Sequence, residues 1–356
     1  MLHLHLPPKH FAGSLLLFLA ASSLQAQEKP NIVILATGGT IAGANTSSIR
    51  SPAFQAAVVP VDRMIAAVPD IQKIARVTGE QIFQVPSENF TDERLLKLGK
   101  RVSELLKKSD VDGIVITHGV DTMEETAYFL NLTLKSTKPV VLVGAMRAST
   151  QLGSDGAANF HDAVAVAASK EAIGKGTLVS MNDEVYSARD VTMSNTVKLE
   201  TLRSTYGPLG LIIEGKVLFY RQSTRPHTVA SEFDIDKLTT LPRVDIVYNY
   251  GNVGPAAYEA LVNAGAKAII HNGTGNGSVA EQIIPVLQDI RSKGIHVVRA
   301  SRTGNGIVTR DGEQPDDRFD WLVTGDQSPQ KARILMALAL TRTNDRQTLQ
   351  DILWKY

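Results

Sequence analysis

Short apolar runs at 32–36, 111–117, 140–143 and 178–180 punctuate the first half of the chain. They are rich in Val, Ile and Leu and too short for helices, which predicts strands buried on both faces. The segments between them carry helical spacing instead. Over 93–108, Leu95, Leu98, Val102, Leu105 and Leu106 fall on one face. The stretch 124–134 opens with Thr122 and Glu125 at the spacing of a capping box. Strands alternating with helices predict a mostly parallel sheet with helices on both faces.

Residues 220–241 break this rhythm, with Pro226, many hydroxyl residues and charges of both signs. We read 222–242 as a linker between a domain at 27–221 and a smaller one at 243–356. In the second domain, 244–248, 268–270 and 295–298 predict strands. Ser278 and Glu281 predict a capped helix running to about residue 293. Ser328 before Pro329, a good first helical residue, opens another to about residue 341. The expected fold class is therefore α/β in two domains. The larger, N-terminal one carries the mostly parallel sheet, and the smaller, C-terminal one is a second α/β unit.

Composition narrows the function classes. A chain of 356 residues exceeds what one hydrophobic core holds. With 37 basic against 36 acidic residues, no nucleic-acid or polyanion partner is implied. There is no cysteine, which excludes a thiol nucleophile and a disulfide framework. At the N-terminus, Lys9 precedes the apolar run 11–21, then small residues and Ala26. This reads as a secretory signal peptide over 1–26, and the run is shorter than the roughly 20 residues of a membrane span. The expected location is the periplasm.

Two stretches end buried runs in small and polar residues, where an open α/β sheet places its ligands. The first is Thr37-Gly38-Gly39-Thr40-Ile41-Ala42-Gly43, with Thr40 a hydroxyl nucleophile candidate. It reads equally as a plain strand-to-loop turn; a phosphate loop is disfavoured by the glycine spacing. The second is Thr117-His118-Gly119-Val120-Asp121-Thr122. Here Asp121 either decorates a helix start or binds a cationic group, and His118 reads as a satisfied histidine. Ser87-Glu88-Asn89, Asn272–Ser278 and the acidic loop 311–317 are further polar clusters at strand ends, each explicable as an ordinary turn.

Together these stretches resemble the bacterial type II L-asparaginases. The resemblance rests on 31–43, 112–119, 121–130 and 139–147, on Arg189-Asp190-Val191-Thr192 and Tyr206-Gly207-Pro208-Leu209-Gly210, and on Pro329-Gln330-Lys331-Ala332-Arg333. Tyr250-Gly251-Asn252-Val253, 273–278 and 313–317 are most similar to the periplasmic glutaminase-asparaginases. The resemblance implies hydrolysis of L-asparagine, and of L-glutamine, through an acyl-enzyme on a threonine, with no cofactor and no metal. It implies a homotetramer built as a dimer of intimate dimers, with each site shared between two subunits. Thr40 matches the nucleophile. Ser87, Glu88 and Asp121 match the groups that hold the amino acid's α-carboxylate and α-ammonium. Asn276 and Glu313 match residues lent by the partner subunit.

Of the five residues that the resemblance assigns to the chemistry, Thr40 and Asp121 keep their identity and three positions depart from the family. Phe54 stands where it has a tyrosine, Val120 where it has a threonine, and Met193 where it has a lysine hydrogen-bonded to that threonine. Losing one member of a buried hydrogen-bonded pair strands the other at about 1–3 kcal/mol, whereas losing both can be nearly neutral. The substitutions therefore read as a repacked site. Two functions follow as expectations: an asparaginase-type amidohydrolase, or an amino-acid-binding pseudoenzyme that kept the clamp and lost the chemistry.

Overall fold

The structure is a computed structural model that describes residues 2–3, 28–45 and 55–356. Phe54 and nearly all of the expected signal peptide lie outside the described residues.

The large sheet contains β1 (Asn31–Gly38), β2 (Arg76–Val85), β3 (Gly113–Thr117), β4 (Val140–Val143), β5 (Thr177–Met181) and β6 (Glu184–Ser187). A separate two-stranded ribbon pairs β7 (Val191–Met193) with β8 (Leu202–Ser204). The hairpin β9 (Gly210–Ile213) and β10 (Lys216–Phe219) completes the large sheet, in the order β10-β9-β6-β5-β4-β3-β1-β2. Pairing is parallel from β2 through β5 and antiparallel from β6 onward. β2 and the antiparallel edge were not evident in the sequence, because polar residues interrupt β2 and its burial is broken, and the antiparallel strands are only four residues long.

Strand periodicity divides the core into two layers. Leu35, Ile114, Ile116, Val140 and Leu142 face one cluster, which holds the helices Asp92–Leu106 and Met123–Thr133. Ile34, Val115, Val141 and Val143 face the other, with the helices Val61–Ala67 and Gly156–Ala168. The central strands are thus covered on both faces, which explains their unbroken apolar runs. The amphipathic helix predicted near 93–108 spans Asp92–Leu106, with the Thr91 hydroxyl accepting from the Arg94 amide and two acids in the first turn.

The smaller sheet orders β11 (Val244–Tyr248), β12 (Ala268–Gly273), β13 (His296–Ser301) and β14 (Leu322–Val323), all parallel. One face joins the first cluster of the large sheet through the helices Pro329–Ala339 and Arg346–Lys355. The other packs on the helices Ala256–Asn263 and Ile284–Ser292. The segment 222–242 is tied down across the large sheet's helices: Phe233 and Ile235 are buried, and Asp236 accepts from Ser103 (3.0 Å) and Lys107 (2.6 Å).

Two predicted helix caps are not formed. The Thr122 side chain does not cap Met123–Thr133; its hydroxyl donates to the Ser87 carbonyl (2.8 Å), and Glu125 pairs with Arg333 (3.1 Å). Ser278 does not cap the helix after it, which begins with a turn at Glu281–Ile283; its hydroxyl donates to Glu313 (2.6 Å). In both cases the hydroxyl is turned toward a tertiary acceptor and its oxygen accepts from no amide of the helix. The cap at Ser328 is formed, accepting from the Lys331 amide (3.3 Å).

Candidate active site

The chain leaves β1 for β2 on one side and later adds β3 on the other. The helix after β1 lies on one face of the sheet and the helix after β3 on the opposite face. This is the switch point at which α/β sheets open a crevice beyond their carboxyl ends. Thr40 follows β1 and Asp121 follows β3.

Three loops meet there. Gly39 has φ 79° and ψ −173°, a region that excludes side chains, and a Cβ on it would lie 2.3 Å from the Gly119 amide nitrogen. A Cβ on Gly119 would in turn lie 2.5 Å from Ser87 Oγ. The Thr122 hydroxyl bond to Ser87 ties the second and third loops together. Thr40 opens the single turn Thr40–Ala42, with Ile41 and Ala42 buried beneath it and Thr40 partly exposed. Its hydroxyl makes no hydrogen bond among the described residues.

Ser87 sits in the turn Ser87–Asn89, buried, with its Oγ unpaired among the described residues. Glu88 and Asp121 are exposed at the mouth. Asp121 is held above the usual carboxylate range by desolvation among the loops and then by the neighbouring Glu88 carboxylate. Two carboxylates beside a free hydroxyl and a buried serine suit a zwitterion whose ammonium relieves their repulsion. His118 is not a ligand: its Nδ1–H donates to the Gly119 carbonyl (2.7 Å) and its Nε2 accepts from Thr126 (3.0 Å). It is wholly buried against Phe90, and burial pushes its pKa down to about 4.

Val120 is buried in the first core cluster, and Met193, at the end of β7, packs against that same cluster. Beside Met193 lies a polar network that the sequence did not expose. Thr192 donates to Glu124 Oε1 (3.0 Å), and Lys331 Nζ lies 3.8 Å from Glu124 Oε2 while bonding the Val191 carbonyl. Burial pushes the Lys331 ammonium down, opposed by Glu124. Arg189 likewise makes a bidentate pair with Asp326 (2.8 and 2.6 Å). Residues 121–130, 189–192 and 329–333, remote in sequence, are thus one linked assembly around the helix that follows Asp121.

Asn276 and Glu313 lie in the loops that follow β12 and β13, at the carboxyl end of the smaller sheet. Asn276 Oδ1 accepts from the Thr309 amide (2.9 Å) and hydroxyl (3.2 Å), and Glu313 from Ser278. Beneath them His271 Nε2–H donates to the Ser278 carbonyl (3.1 Å), while Nδ1 lies 2.7 Å from the Tyr258 hydroxyl. Burial pushes His271 down to about 4. No hydrogen bond among the described residues links this group to Thr40 or Asp121.

Comparison with known proteins bears on the family and the fold. The family described as "Asparaginase, N-terminal" matches residues 31–225, and "Glutaminase/Asparaginase C-terminal domain" matches residues 243–353. The chain is 52% identical over 347 residues to a glutaminase-asparaginase of Pseudomonas fluorescens biotype A, covering 96% of each chain. It is 46% identical over 334 residues to a probable periplasmic L-asparaginase of Haemophilus influenzae, covering 94% of this chain and 95% of that one. The crystal structure of a probable cytoplasmic L-asparaginase from Campylobacter jejuni superposes with a TM-score of 0.89 at 44% identity, over 92% of this chain and 100% of that one. With both domains matched in order and the fold reproduced, this chain belongs to the asparaginase family.

Proposed function

We propose that the protein hydrolyses the side-chain amide of L-asparagine, and of L-glutamine, to the acid and ammonia. The observation that carries this reading is the Gly39–Gly119 contact, which sets the Thr40 loop against the Asp121 loop. Ser87, Glu88 and Asp121 hold the two charged ends of the amino acid, so that the side-chain carbonyl is presented to Thr40. The Thr40 hydroxyl oxygen bonds to that carbonyl carbon, the C–N bond breaks, and the hydroxyl proton leaves with the nitrogen as ammonia. Water then cleaves the ester, releasing the acid and restoring the hydroxyl. The enzyme names of the similar proteins support this reaction.

Val120 and Met193 supply an apolar neighbourhood to this site, in place of the hydrogen-bonded threonine and lysine of the family. Asn276 and Glu313 complete the site of a second copy within a homotetramer, in keeping with their making no hydrogen bond to Thr40 or Asp121 among the described residues. The periplasm is the proposed location, supported by the leader-like N-terminus and the named location of the Haemophilus relative. Among the described residues no helix is long and apolar enough to cross a membrane.

The test is ammonia release from L-asparagine and L-glutamine by the purified protein, with Thr40→Ala as control. Turnover well above that control is expected. Calorimetric binding of L-asparagine with no turnover above the control would overturn the hydrolytic reading and leave a binding protein.

A further inference from the structure

One fully buried guanidinium organises both loops that carry Asn276 and Glu313. Arg299, in the middle of β13, and Asp316 are each wholly buried. Arg299 Nε donates to Asp316 Oδ1 and Nη2 to Oδ2, both at 2.6 Å. Nη2 also donates to the Thr309 carbonyl (3.1 Å), and Nη1 to the carbonyls of Asn276 and Gly277 (3.0 Å each). These bonds use all five donors of the side chain. The fork geometry that reaches five acceptors at once belongs to arginine alone, since an ammonium is a point donor with three.

The consequences run outward to the site residues. Holding the Asn276 carbonyl on one side and the Thr309 carbonyl on the other fixes the distance across which Thr309 donates to Asn276 Oδ1. With that oxygen occupied, the Nδ2 hydrogens of Asn276 are what it can offer outward, which suits an acceptor oxygen on the ligand. Asp316 Oδ2 also accepts from the Asp311 amide (2.9 Å), anchoring the turn that bears Glu313. Ser278, one residue beyond the Arg299-bound Gly277, holds the Glu313 carboxylate.

We propose that Arg299 and Asp316 are a positioning pair: without touching substrate, they set the geometry in which one subunit presents Asn276 and Glu313 to the amino acid bound in its partner. This rests on the reading that those two residues complete a neighbouring subunit's site.

The test is Arg299→Lys in the full-length oligomer, with mass measured by light scattering, kinetics from ammonia release and binding of L-aspartate by calorimetry. Lysine keeps the charge opposite Asp316 but cannot serve both loops. The expected result is a folded oligomer of parental mass whose KM rises at least tenfold, with kcat within threefold and L-aspartate binding weakened in parallel. A purely structural role would lower the active fraction, and so apparent kcat, while leaving KM in place. If Arg299→Lys does not fold, Arg299→Met with Asp316→Leu replaces it, because removing both charges strands neither. A folded oligomer of either kind with parental KM overturns the proposal, and failure of both to fold assigns the pair to stability alone and overturns it too. A parent that neither binds L-aspartate nor releases ammonia refutes the hydrolytic reading itself. Parental binding retained by the variant refutes only this inference.

Discussion

Gly39 packs on Gly119 so closely that a Cβ on the first would lie 2.3 Å from the backbone nitrogen of the second. Gly39→Ala therefore must either separate the Thr40 and Asp121 loops or strain the backbone, at roughly 1–3 kcal/mol for the conformation alone. We expect a lower thermal midpoint and a loss of turnover larger than the stability change explains. Parental ammonia release from the purified variant would contradict the role given to this contact.

Val120 and Met193 share one apolar cluster. Val120→Thr alone buries a hydroxyl without a partner, and Met193→Lys alone brings in an unpaired ammonium; each should destabilise by about 1–3 kcal/mol. Made together they can satisfy each other, and turnover should then exceed that of either single variant and of the parent. A double-mutant cycle by urea denaturation and ammonia release measures the coupling. Additive effects would show that the two positions do not act as a pair.

Thr40 and Asp121 should separate chemistry from binding. Thr40→Ala is expected to cut kcat by about 10⁴-fold or more while L-aspartate still binds, as removal of a nucleophile does elsewhere. Asp121→Asn should act mainly on KM, by about 10–100-fold, the worth of a hydrogen bond to a charged group. The reverse pattern in steady-state kinetics would exchange their roles.

Substrate affinity should weaken at acid pH. Desolvation and the Glu88 charge raise the Asp121 pKa, so the free site takes up a proton at higher pH than an ordinary aspartate. Only the ionised form attracts the ligand ammonium. KM should be flat near neutrality and climb as pH falls through the upper carboxylate range, and Glu88→Gln should move that climb to lower pH. A pH-independent KM down to pH 4 would remove the pair from the binding site.

Global stability should fall over a related but distinct window. His118 and His271 are held neutral, each with its pKa pushed down to about 4 by burial. In the unfolded chain both titrate near 6.5, so the unfolded state binds the extra protons first. Their contribution is full above about pH 6.5 and is lost as pH falls toward 4, at up to roughly 3 kcal/mol each. Urea midpoints across this range test it, and His271→Gln should flatten part of the slope.

Much of the architecture was legible in the chain itself. Central parallel strands are apolar on both faces, so 32–36, 111–117, 140–143 and 178–180 stood out, and the helix behind Thr91 showed its buried stripe. The candidate nucleophile and carboxylate were legible for the same reason, because ligands gather where such strands end. What sequence spacing misjudged were Thr122 and Ser278. Both have the local pattern of helix caps, and both instead give their hydroxyls to loops distant in sequence, Ser87 and Glu313.

The sequence by itself thus determined the strands, the main helices, the two-unit α/β plan and the motifs that carry the family resemblance, because these depend on short-range periodicity and turn chemistry. Only the tertiary structure decided which polar groups meet. The Gly39–Gly119 contact, the Thr192–Glu124–Lys331 network and the five-donor grip of Arg299 each join segments that local pattern cannot relate. A buried polar group must find partners wherever the folded chain brings them, and that pairing is a property of three-dimensional proximity rather than of spacing along the backbone.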